Sequence, residues 1–322
     1  MPVAIGLDIG GTKILGGLVD SAGRVLHEVR VATPAEDGAD GIMAALAEAA
    51  GQVRQFAATQ GETPVGIGVS SAGHVVWETG QVVDGTPNVP GWAGMRVAEN
   101  LTRATGMAAC CDNDGNAAAF GEAWVGAGRS CKAIVAITLG TGFGAGIFDR
   151  GHMLRGSRGG GAELGHLIVV PDGRPCNCGQ SGCVEAYVSG TALAKQARSL
   201  WGPQAGSPLV FERAAEGDGQ ALELVDEFAR MLALTMVSIF NLADPDLILI
   251  GGGIAAQEGL FLPAVRRRVT RYLGGKRFSA DQIRLAQLGQ NAGMIGAAGQ
   301  ALARFGVAAS PVEDHAVVDT TS

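Results

Sequence analysis

A strand, a glycine turn and a second strand occur twice in this chain, and the repetition narrows the possible folds more than any other feature. The first copy is an apolar run at 3–9, the turn DIGGTK at 8–13 and a second run at 14–19. The second is a run at 132–139, the turn TLGTGFGAG at 138–146 and a run at 144–148. Each turn offers glycine where backbone must approach another group closely. A turn at 21–23 and a third strand at 24–31 complete an antiparallel meander. A helix at 41–59, a strand at 65–70, a loop rich in Gly, Pro and Asn reaching 91, a helix at 95–105 and a short strand at 107–111 follow. After a helix at 117–125 the second copy begins. It continues through a long helix at 219–242, a buried strand at 247–250, a glycine turn at 251–253, a helix at 260–272, a strand at 283–288 and a last helix at 293–305. The tail from 308 lacks periodicity and is expected to fray. This alternation predicts an α/β protein of two similar lobes, each presenting one glycine turn to a cleft. The expected boundary leaves 1–111, joined by the C-terminal helix at 294–322, as a small lobe and 112–293 as a large one.

Composition bounds the function. The 322 residues are 47% hydrophobic and only 17% charged, with 51 glycines, which suits two compact domains rather than a disordered chain. The net charge is −7, and the one basic cluster, Arg266 to Arg268, reads as a solvated helical turn, so nucleic acid is not expected as a partner. The start of the chain has no basic region of a signal peptide, and the longest apolar run is broken by Gly251, Gly252 and Gly253. A cytoplasmic protein with no membrane partner is expected. In that reducing compartment clustered cysteines point to metal or catalysis rather than disulfides.

Three constellations carry chemistry. Cys176, Cys178 and Cys183, with His166 upstream and Gly179 and Gly182 to let the backbone fold around an ion, have the composition of a closed Cys3His zinc site, structural because no coordination position stays open. Cys110, Cys111 and Cys131 sit in or beside strands and are expected to be buried small hydrophobes. The turn from Asp8 through Gly10, Gly11 and Thr12 to Lys13 lies between strands, unlike a phosphate loop that opens a helix, and no G-x-x-x-x-G-K-[ST] exists in the chain. Its amides can still face phosphate oxygens, and an aspartate there implies Mg2+ as mediator. Asp112-Asn113-Asp114 ends a strand just before a helix, where Asp or Asn can cap the helix and also serve as a base beside a hydroxyl-binding amide. Glu163 and Glu185 flank the cysteine loop, and carboxylates next to such an amide suit a sugar's hydroxyls.

Together these motifs resemble the ROK family (repressors, open reading frames and sugar kinases), within the two-lobed actin-like ATPase (hexokinase/RNase H-like) fold. The most specific part is Glu163-Leu-Gly-His166 followed by Cys176-Asn-Cys178-Gly-Gln-Ser-Gly-Cys183-Val-Glu185. The resemblance implies an ATP-dependent hexose kinase with Asp114 as the base for the acceptor hydroxyl. It implies sugar contacts from Asn88, Asn113, Glu163, His166 and Glu185, with His166 shared between sugar and zinc. Gly10, Gly11, Thr12, Lys13, Gly140, Thr141 and Gly142 would grip the ATP phosphates, and Gly251, Gly252 and Gly253 would lie near the nucleoside. Ser70-Ser71-Ala72-Gly73 looks like N-acylmannosamine and glucoside kinases, which keeps N-acetylmannosamine or N-acetylglucosamine as alternative substrates. Glu185-Ala-Tyr-Val-Ser-Gly190 resembles glucokinases and favours glucose. The family's repressor branch needs a DNA-binding domain ahead of Asp8, and with Asp8 so close to the start of the sequence a sugar-responsive repressor is the less expected reading. Homodimers or homotetramers are expected.

Overall fold

The structure is a computed structural model that describes residues 1–85, 89, 91–274 and 278–306. Asn88 and the tail beyond 306 therefore lie outside the described residues. The meander is present as β1 (Val3–Ile9), β2 (Lys13–Asp20) and β3 (Val25–Ala32), and α1 (Gly38–Thr59) covers it. Then come β4 (Ile67–Ser71), a hairpin of β5 (His74–Val76) and β6 (Gln81–Asp84), α2 (Val97–Thr105), β7 (Ala109–Asn113) and α3 (Asp114–Trp124). The repeat opens with β8 (Ala133–Leu139), β9 (Phe143–Asp149) and β10 (His152–Met153). It proceeds through α4 (Gly190–Trp201), α5 (Ser207–Ala215), α6 (Gly219–Ala243), β11 (Leu247–Gly251), α7 (Glu258–Leu273), β12 (Ile283–Leu285) and α8 (Ala292–Phe305).

The two five-stranded sheets have orders β3-β2-β1-β4-β7 and β10-β9-β8-β11-β12, so the duplication seen in the turns extends to the topology. In the first sheet β1, β4 and β7 are parallel, and their register aligns Asp8 with Ser70 and Ser70 with Asp112. Three polar residues thus stand in one row at the carboxyl ends of adjacent strands. Two residues earlier the row is Gly6, Gly68 and Cys110. A Cβ on Gly6 would meet the Met294 carbonyl oxygen of α8, and one on Gly68 the Ala297 carbonyl oxygen, so α8 lies directly on the sheet. On α8's other contact, a Cβ on Gly296 would collide with the Ala117 carbonyl oxygen of α3.

Two compact units emerge: Met1–Lys132 with Gly146–Ala162 and Gln287–Ser322, and Ala133–Ala145 with Glu163–Ala286. The first extends past the boundary expected at 111, because α3 packs closely on α8. The arginine cluster also differs from expectation. Arg266 donates to the Ile283 carbonyl at 2.6 Å and Arg268 to both carboxylate oxygens of Asp226, which leaves Arg267 as the solvated member. Cys110 and Cys111 are buried as expected, whereas Cys131 is only partly so. Among the described residues no helix is long and apolar enough to cross a membrane.

The backbone contacts of α8 make a paired prediction. Gly296→Ala should lower stability by about 1–3 kcal/mol in urea unfolding, because the α3–α8 contact must open. Gly259→Ala, at a position on α7 with nothing within 4 Å of the added Cβ, should be neutral or stabilise by up to about 1 kcal/mol. Equal effects at the two positions would contradict the packing described.

Candidate active site

In the first unit the turn after β1 is closed by Gly10 N–H donating to the Lys13 carbonyl at 2.9 Å and braced by the Thr33 hydroxyl, which donates to the Gly10 carbonyl at 2.7 Å. Gly11, Thr12 and Lys13 are exposed, and a Cβ on Gly11 would meet nothing within 4 Å. Backbone is thus open to a ligand at the tip of the turn. The Asp8 carboxylate lies beneath it, against Gly293 in the first turn of α8. Burial pushes the Asp8 carboxyl above the ordinary carboxylate range; the Ser70 hydroxyl, donating to Oδ1 at 2.5 Å, and the Lys13 ammonium pull the other way without offsetting it.

The junction of β7 and α3 shows which residue caps the helix. Asn113 Oδ1 accepts from Gly115 N–H at 2.8 Å and from Asn116 N–H at 3.3 Å, and its Nδ2 donates to the Gly73 carbonyl at 3.0 Å. Asn113 is the N-cap. Asp114 is the first helical residue and is exposed; its Oδ1 accepts from Gly115 N–H at 2.8 Å. Its negative charge stands at the positive end of α3, a favourable placement.

In the second unit the turn after β8 rests on the start of α4. Gly190 N–H donates to the Gly140 carbonyl at 2.7 Å, and the Thr191 N–H and hydroxyl donate to the Thr141 carbonyl at 3.1 and 2.9 Å. Glu185 reaches this turn: its Oε2 accepts from Phe143 N–H at 2.8 Å and would lie 2.7 Å from a Cβ on Gly142. The sequence spacing separates these two residues widely, but the fold places a carboxylate at the turn after β8. The glycines at 251–253 join the same region, since Gly251 pairs with Thr138, and Gly252, at φ +85°, has backbone against which any Cβ would strike the Leu139 carbonyl.

The cysteine loop is tightly folded. Cys176 N–H donates to the Gln180 carbonyl at 2.8 Å and Gly179 N–H to the Cys176 carbonyl at 3.1 Å, with Gly179 and Gly182 at φ +88° and +83°. Ligand atoms of His166, Cys176, Cys178 and Cys183 all lie within 4.8 Å of one another. The pairs Cys176 Sγ–His166 Nδ1 and Cys178 Sγ–Cys183 Sγ are each 3.7 Å apart. A tetrahedral ion with about 2.3 Å bonds to sulfur needs sulfur atoms about 3.8 Å apart, so the set fits such a metal. Glu163 is exposed, and its carbonyl accepts from His166 N–H at 3.1 Å, beginning the short 3-10 turn that presents the histidine.

This is the geometry that known proteins can be set against. The model of the ROK family matches residues 4–304. The chain belongs to the ROK family. A glucokinase of Thermotoga maritima is 35% identical over 316 residues, covering 94% of this chain and 98% of that protein. The crystal structure of a ROK hexokinase from Thermus thermophilus superposes with a TM-score of 0.83 at 36% identity, over 92% of this chain and 96% of that one. A ROK glucokinase from Streptomyces griseus, solved with glucose and AMPPNP, gives 0.78 at 35% identity, over 92% and 98%. The fold is accordingly the two-lobed actin-like ATPase fold of ROK sugar kinases.

Sequence reasoning did not find three side chains that hold the β7–α3 junction, Arg155, Gln300 and Asn116. Each touches Asp112, and two of them come from 43 and 188 residues away, a separation that no local pattern signals.

The raised Asp8 carboxyl has a testable consequence. Its native state binds a proton more tightly than the unfolded chain, so the ionised carboxylate costs stability above the raised pKa, and the cost disappears below the ordinary range. Asp8→Asn keeps the acceptor for Ser70. It should melt above the parent at pH 8, with the gap closing as pH falls to about 4. A gap that ignores pH, or a lower melting point at pH 8, would contradict this.

Proposed function

We propose that this ROK protein is an ATP-dependent glucokinase that transfers the γ-phosphoryl group to the 6-hydroxyl of glucose. The observation that carries the reading is the exposed Asp114 carboxylate at the start of α3, directly after Asn113, the residue that caps the helix. Asp114 accepts the hydroxyl proton as the oxygen attacks. Asn113, Glu163, His166 and Glu185 orient the sugar, and Asn88 is assigned the same task from the family resemblance. The backbone of Gly10, Gly11, Thr12 and Lys13 and that of Gly140, Thr141 and Gly142 bind the phosphates, whose charge the open turn amides complement. Gly251, Gly252 and Gly253 lie by the nucleoside. Mg2+ bound with ATP supplies charge neutralisation on the phosphates, and Asp8 is the residue that would hold it.

Zinc is proposed for the cysteine loop in a structural role, with Cys176, Cys178, Cys183 and His166 Nδ1 as ligands. Its contribution is to hold His166 and the neighbouring Glu185 in place, leaving His166 Nε2 for the sugar. The enzyme is proposed to act in the cytoplasm as a homodimer or homotetramer, without nucleic acid or membrane partners. The serine pair at 70–71 favours N-acylhexosamines as a second reading. The structure gives Ser70 to Asp8 and Ser71 to Trp92 Nε1, at 2.8 Å, which explains the serines without an acyl group.

A substrate panel of glucose, mannose, N-acetylglucosamine, N-acetylmannosamine and fructose with ATP and Mg2+ decides the sugar. Glucose should have the highest kcat/KM, and a higher value for either N-acetyl sugar would replace it. Extensively dialysed protein should retain about one zinc per chain. Cys178→Ala should lose the metal and weaken glucose binding together, whereas retained glucose affinity after metal loss would separate the loop from the sugar.

A further inference from the structure

Asp112 is completely buried, yet its carboxylate receives four hydrogen bonds and an ion-pair contact. Oδ1 accepts from Asn113 N–H at 2.9 Å and from Asn116 Nδ2 at 3.0 Å. Oδ2 accepts from Arg155 Nε at 2.9 Å and from Gln300 Nε2 at 2.7 Å, and Arg155 Nη2 stands in ion-pair contact with it at 2.8 Å. One oxygen therefore brackets Asp114, binding the backbone just before it and a side chain in the first turn of α3. The other is held from outside by a two-pronged guanidinium and by an amide on α8. Arg155 is itself fixed, with its guanidinium 4.1 Å above the Trp77 ring. The Trp77 and Glu78 carbonyls accept from Arg304 near the end of α8, at 2.9 and 3.0 Å.

A buried ion pair adds little net stability compared with well-packed apolar residues, so stability alone gives a weak reason for a charge at the end of β7. Direction is a better one. A carboxylate held on both oxygens has one orientation, and it passes that orientation to the Asp112–Asn113 peptide and, through Asn116, to the first turn of α3. We infer that Arg155 and Gln300 are positioning residues for phosphoryl transfer: through Asp112 they hold the β7–α3 junction so that the Asp114 carboxylate is presented in a single orientation. Asp112, sealed from solvent, touches no substrate. The inference rests on the reading of Asp114 as the base.

The test compares Arg155→Met, Arg155→Lys and Gln300→Met with the parent, alone and in an Asp114→Asn background, by kcat with glucose and ATP, glucose Kd and melting temperature. Arg155→Met should lower kcat by about tenfold or more while glucose Kd stays within about threefold, because a small misplacement of a catalytic group is costly to rate. Arg155→Lys restores the charge without the fork and should recover part of the loss. Gln300→Met, which removes a single bond, should fall between parent and Arg155→Met, and it carries the test if Arg155→Met does not fold. In the Asp114→Asn background these substitutions should cost little further turnover, since the group they position is gone. Turnover of Arg155→Met within about twofold of the parent, or an equal fractional loss with and without Asp114, would overturn the inference. If Asp114→Asn keeps full turnover, the base reading fails and takes this inference with it. An inactive Asp114→Asn beside a fully active Arg155→Met sinks the inference alone.

Discussion

The close contact between the backbone of α8 and the strands beneath it is the constraint on which the first unit depends. Gly6 and Gly68 lack the Cβ atoms that would meet the Met294 and Ala297 carbonyls, and Gly296 lacks the one that would meet Ala117. Because α8 can approach so closely, its first turn reaches Asp8 and its middle reaches Asp112, at the carboxyl ends of strands two places apart. Without that approach Gln300 could not bond the Asp112 carboxylate, and α3 would lose the surface against which it packs.

The two aspartates at those strand ends and the one that begins α3 carry different loads. Burial raises the Asp8 carboxyl, and Ser70 and Lys13 oppose that pull without offsetting it. Asp112 is held by four hydrogen bonds and the ion pair with Arg155. Asp114 is exposed at the start of α3, its charge placed where the helix favours an anion. Ligands of parallel α/β sheets bind outside the carboxyl ends of the strands, and this edge has that character. The second unit uses a different device, a loop closed by its own hydrogen bonds and by a ligand set of metal-binding dimensions. Arg174 ties that loop down further, with its guanidinium 4.5 Å above the Tyr187 ring, a bond to Glu227 at 2.8 Å and its N–H on the Tyr187 hydroxyl at 2.9 Å.

Much of this was legible in the sequence where the signal is local. The meander, the long helix ending at Ala243 and the last helix stand within a few residues of their periodic patterns, and the cysteine spacing places four ligand atoms together. The β5–β6 hairpin was hidden in a stretch dense in turn residues, and α4 and α5 follow a loop whose glycines and cysteines dominate the pattern. Asn113 and Asp114 are both good caps by composition; only the hydrogen bonds separate cap from carboxylate. The contact of Glu185 with the turn at Gly142 and the grip of Arg155 and Gln300 on Asp112 depend on tertiary packing, which periodicity does not report. The domain boundary at 111 was drawn where the strand ends, but α3 follows α8 because their backbones touch through Gly296.

The central claim is that Asp114 takes the proton of the attacking hydroxyl. The most direct measurement is kcat of Asp114→Asn with glucose and ATP, read beside glucose Kd and the melting temperature of the same protein. Asparagine keeps the size of the side chain and its acceptor oxygen but cannot take the proton. The account predicts a fall in kcat of about 10²-fold or more, with glucose affinity and melting temperature close to those of the parent. Turnover near that of the parent would contradict it.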